Sequence, residues 1–105
     1  MSEQSIEQEI QDKNLNAPRL TPSIIDARMA KVVYWTQHIP DTTSTIAVAF
    51  DENGFSIASH ISASVSKENF DAELGKKIAL ADCEKKARDE MWRLEGYMLK
   101  RQLEK

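Results

Sequence analysis

From Phe70 to Lys105 the chain has no proline, is built of good helix formers, and sets opposite charges four residues apart at Glu73 and Lys77, Asp82 and Lys86, Glu84 and Arg88, and Asp89 and Arg93. This segment constrains the fold more than any other. Unbroken, it would be ~50 Å long, whereas a compact chain of 105 residues is ~33 Å across. Either it breaks, with Gly96 the natural place, or its far end projects and finds a partner. At 100° per residue it carries two apolar stripes. Phe70, Leu74, Ile78, Ala81, Trp92, Leu99 and Leu103 form one; Leu80, Cys83, Ala87, Met91, Leu94 and Met98 form the other. They lie well over 100° apart, so one flat sheet cannot cover both.

The covering elements lie upstream. Thr42 to Ser64 reads as a β-hairpin turning at Asn53-Gly54, a pair suited to a type I′ turn because both positions need positive φ. That turn pairs Phe50 with Ile57, Val48 with Ser59 and Ile46 with Ile61 on one face, and Ala49 with Ala58, Ala47 with His60 and Thr45 with Ser62 on the other. The bulky face is expected to be the core face. The small-residued face fits either a solvated surface or a very close approach by another element. Thr21-Pro22 starts a helix, and the 3.6-residue rhythm of Ile24, Ile25, Arg28, Met29, Val32 and Val33 extends it to near Trp35. Ahead of it, residues 1–17 form an acidic arm, either a frayed, weakly docked helix or disordered. The fold class is therefore α+β: an antiparallel hairpin on two helices, in a single domain spanning residues 18–105.

Little in the chain suggests chemistry. Cys83 is the only cysteine, which excludes an intramolecular disulfide or a cysteine-cluster zinc site, and its place on an apolar stripe marks a buried structural thiol. His38 and His60 lack metal-ligand spacing, and Gly54, Gly75 and Gly96 are isolated rather than gathered in a phosphate loop. Carboxylates sit beside Lys and Arg, as on a solvated helix face. No metal, no cofactor and no enzymatic activity are expected. No apolar run approaches the ~20 residues that span a bilayer, so a soluble cytoplasmic protein without membrane contact is expected.

What remains is binding. Tyr34 and Trp35, adjacent at a helix end, cannot both face one core, so one of them is expected at a partner surface. Trp92, Tyr97 and the pair Met91 and Met98 suggest a pliable apolar groove. The stripe of Leu80, Ala87, Met91, Leu94 and Met98, left over by the hairpin, is expected to bury itself against a second copy as a homodimer. Fourteen basic against 17 acidic residues, with no strongly basic segment, weigh against nucleic acid. Nucleic acid stays as the alternative partner only if Lys76, Lys77, Lys85 and Arg88 gather on one concave surface.

Several segments, in order, resemble a family of small tailed-phage and prophage proteins, the gene-49/gene-66 family. They are Pro18-Arg19-Leu20-Thr21-Pro22, Tyr34-Trp35, Asn53-Gly54-Phe55, the run Asn69-Phe70-Asp71-Ala72-Glu73-Leu74-Gly75-Lys76-Lys77-Ile78-Ala79, and Trp92-Arg93-Leu94-Glu95-Gly96-Tyr97-Met98-Leu99. The resemblance covers about residues 18–103 and leaves the arm outside. Ala47 and Ala49 depart from it, standing where bulkier strand residues are expected. The family brings no catalytic residues to carry over. It implies a phage-encoded protein made in a bacterial cytoplasm; since small phage proteins without chemistry commonly act by binding, the function expected is to bind, and inhibit or redirect, a host or defence protein, with an accessory role on nucleic acid as the alternative.

Overall fold

The computed structural model describes residues 2–104; Met1 and Lys105, the outer bounds of the two expected regions, lie outside them. The order is α1 (Glu3–Asp12), α2 (Pro22–Met29), β1 (Val33–His38), β2 (Ser44–Phe50), β3 (Ser56–Ala63), a single 3₁₀ turn at Lys67–Asn69, and α3 (Ala72–Leu103). The strands form an antiparallel sheet in the order β1-β2-β3, with α3 laid across one face. The α+β class stands, with one strand more than a hairpin supplies.

Local chemistry sets the helix starts. Ser2 and Ser5 cap α1 reciprocally, each hydroxyl accepting the other's backbone N–H at 3.1 Å. Thr21 caps α2 through Ile24 N–H at 3.3 Å, with Pro22 in the first turn, and Asp71 caps α3 through Leu74 N–H at 3.0 Å.

The helix expected to run to Trp35 stops at Met29, and Tyr34 and Trp35 belong to β1. The residues Val32 to Thr36 are β-branched or aromatic, and the edge of β2 offers them a ladder that an isolated helix end cannot match. Val33 pairs with Phe50, Trp35 with Val48 and Gln37 with Ile46. Neighbouring strand residues point to opposite faces, so the two aromatics separate as they must.

The register of β2 against β3 is as expected from Thr45 to Ala49 and then departs. Gly54 alone in the turn has positive φ, +87°, so a two-residue type I′ turn does not form. Asp51 builds a longer one, its Oδ1 accepting the N–H groups of Asn53 at 2.8 Å and Phe55 at 2.9 Å while its carbonyl accepts from Gly54. The resulting bulge pairs Phe50 with Ser56 and turns Ile57 toward the helix side.

The core lies on the face opposite to the one expected. Thr45, Ala47 and Ala49 are completely buried, as are Ala79, Cys83 and Ala87 of α3. The stripe of α3 that lacks large side chains meets the small face of the sheet, which brings the helix axis close. At Gly75 the approach leaves no room for a side chain: a Cβ there would stand 2.8 Å from Thr45 Oγ1. Ile46, Val48, Phe50 and Ile61 therefore face away from α3. By the same rotation Leu74 and Ile78, expected against the hairpin, are exposed. α3 is unbroken at Gly96 and runs for 32 residues, giving a molecule 55 × 30 × 18 Å with a radius of gyration of 17.4 Å. A compact chain of this length would have ~13 Å.

This face assignment makes a paired expectation. Ala47→Leu overpacks the helix-sheet contact and should lower the unfolding free energy of the monomeric chain by about 1–3 kcal/mol, whereas Val48→Thr on the open face should change that of the monomeric chain by less than ~0.5 kcal/mol. Urea denaturation of the two variants measures both; the reverse order would mean that the faces are exchanged.

Candidate functional site

Between the hairpin tip and the second half of α3 lies a groove of about 270 Å³. Met91, Leu94 and Met98 line it from α3, Val32 from the residue just before β1, and Phe55 and Ile57 from the hairpin. Asp51, Glu52 and Glu95 stand at its rim with Arg28, whose guanidinium is held by Glu95 at 2.5 Å. The Asp51 turn is what presents Phe55, 66% exposed, at this edge. Two thioethers and an aromatic ring with acidic neighbours make a surface that adapts to an apolar guest and favours a cationic one.

The far side of the sheet is the second surface. Val33 and Trp35 of β1, Ile46, Val48 and Phe50 of β2, and Ser59 and Ile61 of β3 share it. Among the described residues no element covers it, and Trp35 is 48% and Ile61 56% exposed.

Charge is concentrated elsewhere, where α1 docks. Arg88 of α3 donates to both carboxylate oxygens of Glu3, at 2.8 and 2.5 Å, and to Asp26 at 2.8 Å, while the Trp92 indole donates to Glu3 at 3.2 Å. Arg19 holds Glu7 in the same two-pronged way, at 2.7 and 2.8 Å. The Arg88 guanidinium keeps the Glu3 carboxyl below its usual range, and Arg19 with Gln11 lowers that of Glu7 to about 2. Ile6 and Ile10 line a cavity with Leu20, Pro22 and Trp92, so α1 covers the Trp92 part of the first stripe.

The groups with nucleophilic or ligand chemistry are dispersed. Cys83 lies buried under the sheet, its thiol directed at Ala58 O at 3.8 Å and its ionisation pushed up by burial. His60, beside Ala47 in the register, approaches Asp82 at 3.4 Å, and His38 reaches Thr42 O at 2.6 Å with its ring against Phe70. Among the described residues no three His, Cys, Asp or Glu side chains gather as metal ligands.

The expected site residues separate into several environments. Tyr34 faces the helix, where burial raises its hydroxyl pKa, and Trp35 faces out. Trp92 lies beneath α1, and Tyr97 is 60% exposed on the projecting end of α3 beside Lys100. Of the stripe expected to self-associate, Ala87 and Met91 are buried within the chain, Leu80 is half-buried, and Leu94 and Met98 line the groove. Those five thus do not form one open surface, because the sheet itself covers the stripe. The four basic residues do not converge either: Arg88 is taken by Glu3 and Asp26, and Lys76 and Lys85, nine residues apart, lie half a turn from each other around α3. Phe55, Asp51 and Glu3 were missed by sequence reasoning. Asp51, two before Asn53, was the available signal for the first two; Glu3 finds Arg88 across 85 residues, with no local signal.

Fold and surfaces together define a small α+β protein with two apolar surfaces, the groove beside α3 and the far side of the sheet. The comparisons go one step further: the family model described as Phage protein (N4 Gp49/phage Sf6 gene 66) family matches residues 20–103, and the chain belongs to that family. Neither the comparison with curated proteins nor that with solved structures found a match. Among the described residues no helix is long and apolar enough to cross a membrane.

The ion pairs give α1 a pH dependence. Carboxyls held below their usual range stabilise the docked state above that range, and the stabilisation is lost as pH falls through the lowered values. Backbone chemical shifts of Gln4 to Gln11 should therefore move toward coil values between the ordinary carboxylate range and pH about 2, ahead of the sheet. Glu3→Gln should bring part of that change to neutral pH. An α1 that melts only together with the sheet would refute the clamp.

Proposed function

We propose that this phage-family protein is a non-enzymatic interaction protein of the bacterial cytoplasm that binds, and so inhibits or redirects, a host or defence protein. The groove between hairpin and α3 is the docking site in this reading. Its lining of Met91, Leu94, Met98 and Phe55 under an acidic rim is the observation that carries the proposal. The guest that fits is a protein segment with apolar side chains flanked by Lys or Arg: the thioethers and the Phe55 ring take the apolar part, and Asp51 and Glu52 attract the charge. Tyr97, one residue from Met98 on the projecting end, adds an aromatic anchor at the margin.

Tagged protein from infected cells, followed by titration of the co-purifying host protein in pure form, tests this. Binding should weaken as salt rises, and Met98→Asp or Phe55→Asp should cost about 2 kcal/mol or more, roughly 30-fold in affinity, with the fold intact. A host protein bound equally well by both variants would overturn the groove. Recovery of nucleic acid in place of any stoichiometric protein would overturn the class.

A further inference from the structure

We infer that the open face of the sheet seats a second copy of this chain, in a two-fold dimer of sheets packed face to face. This goes beyond the host-partner reading, because it uses the side of the sheet turned away from α3 and leaves the groove free.

Charge is the first argument. Val33, Trp35, Gln37, Ile46, Val48, Phe50, Ser59 and Ile61 include no ionisable group, on a chain with 30% charged residues and a net charge of −3. Elsewhere the surface carries charges of both signs, which a contact must desolvate or pair. Here a copy meets none, and a heterologous partner finds no charge to recognise.

Area is the second. The chain exposes 7550 Å², against about 5,900 Å² for a compact monomer of its mass. The excess is larger than the ~800 Å² each partner gives to a standard interface. Part of it belongs to the length of α3. The open face, with Trp35, Val33 and Ile61 each about half exposed, is where burying surface costs no charge desolvation.

Shape is the third. The register sets Trp35, Val48 and Ser59 side by side in one row across the sheet, so the β1 edge of the row is bulky and the β3 edge small. A two-fold axis running along β2 between the sheets lays the bulky edge of each copy on the small edge of the other. Trp35 of one copy then stands over Ser59 of its mate, twice per dimer, with the sheets ~10 Å apart as in a β-sandwich. A helix-bearing three-stranded sheet thereby gains cover on its second face without any other element of its own.

Light scattering on purified full-length protein at micromolar concentration should give twice the 11.9 kDa chain mass. Val48→Lys and Ser59→Lys, on different strands of the face, should each halve that mass with the far-UV spectrum unchanged. Trp92→Phe leaves Trp35 as the only indole without touching the face; its emission should shift to the red on dilution as the mass falls. A wild-type monomer mass, a dimer that survives both lysines, or Trp35 emission independent of concentration in a chain that remains dimeric would each overturn the assignment.

Discussion

Everything else in the structure depends on how closely α3 approaches the sheet. Ala47, Ala49 and Thr45 on one side and Ala79, Cys83 and Ala87 on the other put only small side chains, four alanine methyls, one thiol and one threonine, between the two backbones. Gly75 removes even the methyl where Thr45 crosses beneath it. A contact this short buries little apolar area per residue and makes up for it in packing density. It also dictates the rest: with the small face committed to the helix, strand alternation sends Ile46, Val48, Phe50 and Trp35 to the opposite side.

The same contact explains which parts of the fold were legible from residues alone. Caps at Thr21-Pro22, the long proline-free helix, the register from Thr45 to Ala49 and the separation of Tyr34 from Trp35 all follow from local rules of geometry and spacing. The choice of face does not. Hydrophobicity ranks Ile46, Val48 and Phe50 above Ala47 and Ala49, yet the helix that must cover the sheet brings its own small stripe, and small fits small. Ala47 and Ala49 already stood out as departures from bulkier strand residues, and a close approach was one of the two readings open to their face. The third strand was hidden for a different reason: a helical rhythm through Val32 and Val33 coexists with high strand propensity, and only the free edge of β2 decides between them. The candidate site was partly legible. Met91 and Met98 were marked as groove material and Leu94 as part of a self-association stripe, whereas Phe55 needed the bulge.

Polar side chains in this molecule serve mainly to place helices. Arg88 gathers Glu3 and Asp26 while the Trp92 indole donates to the same Glu3, Arg19 gathers Glu7, and Arg28 holds Glu95, so each of the three helices is tied to another element by a guanidinium. Arginine suits this use, since its planar fork satisfies both oxygens of a carboxylate at once. The acidic arm, too short to hold a helix by burial alone, is ordered by these pairs and by its own serine capping box. The exposed apolar residues of the groove and of the open sheet face, with no gathered nucleophile or ligand group beside them among the described residues, are why binding rather than catalysis is the function proposed.

The central claim, that α3 lies on the alanine face, is tested most directly by nuclear Overhauser contacts between methyl groups in labelled protein. Strong cross-peaks are expected from the Ala47 and Ala49 methyls to those of Ala79 and Ala87, and none from Val48 or Ile46 to any residue of α3. Cross-peaks linking Ile46, Val48 or Ile61 to α3, with the alanines of β2 silent, would contradict the account.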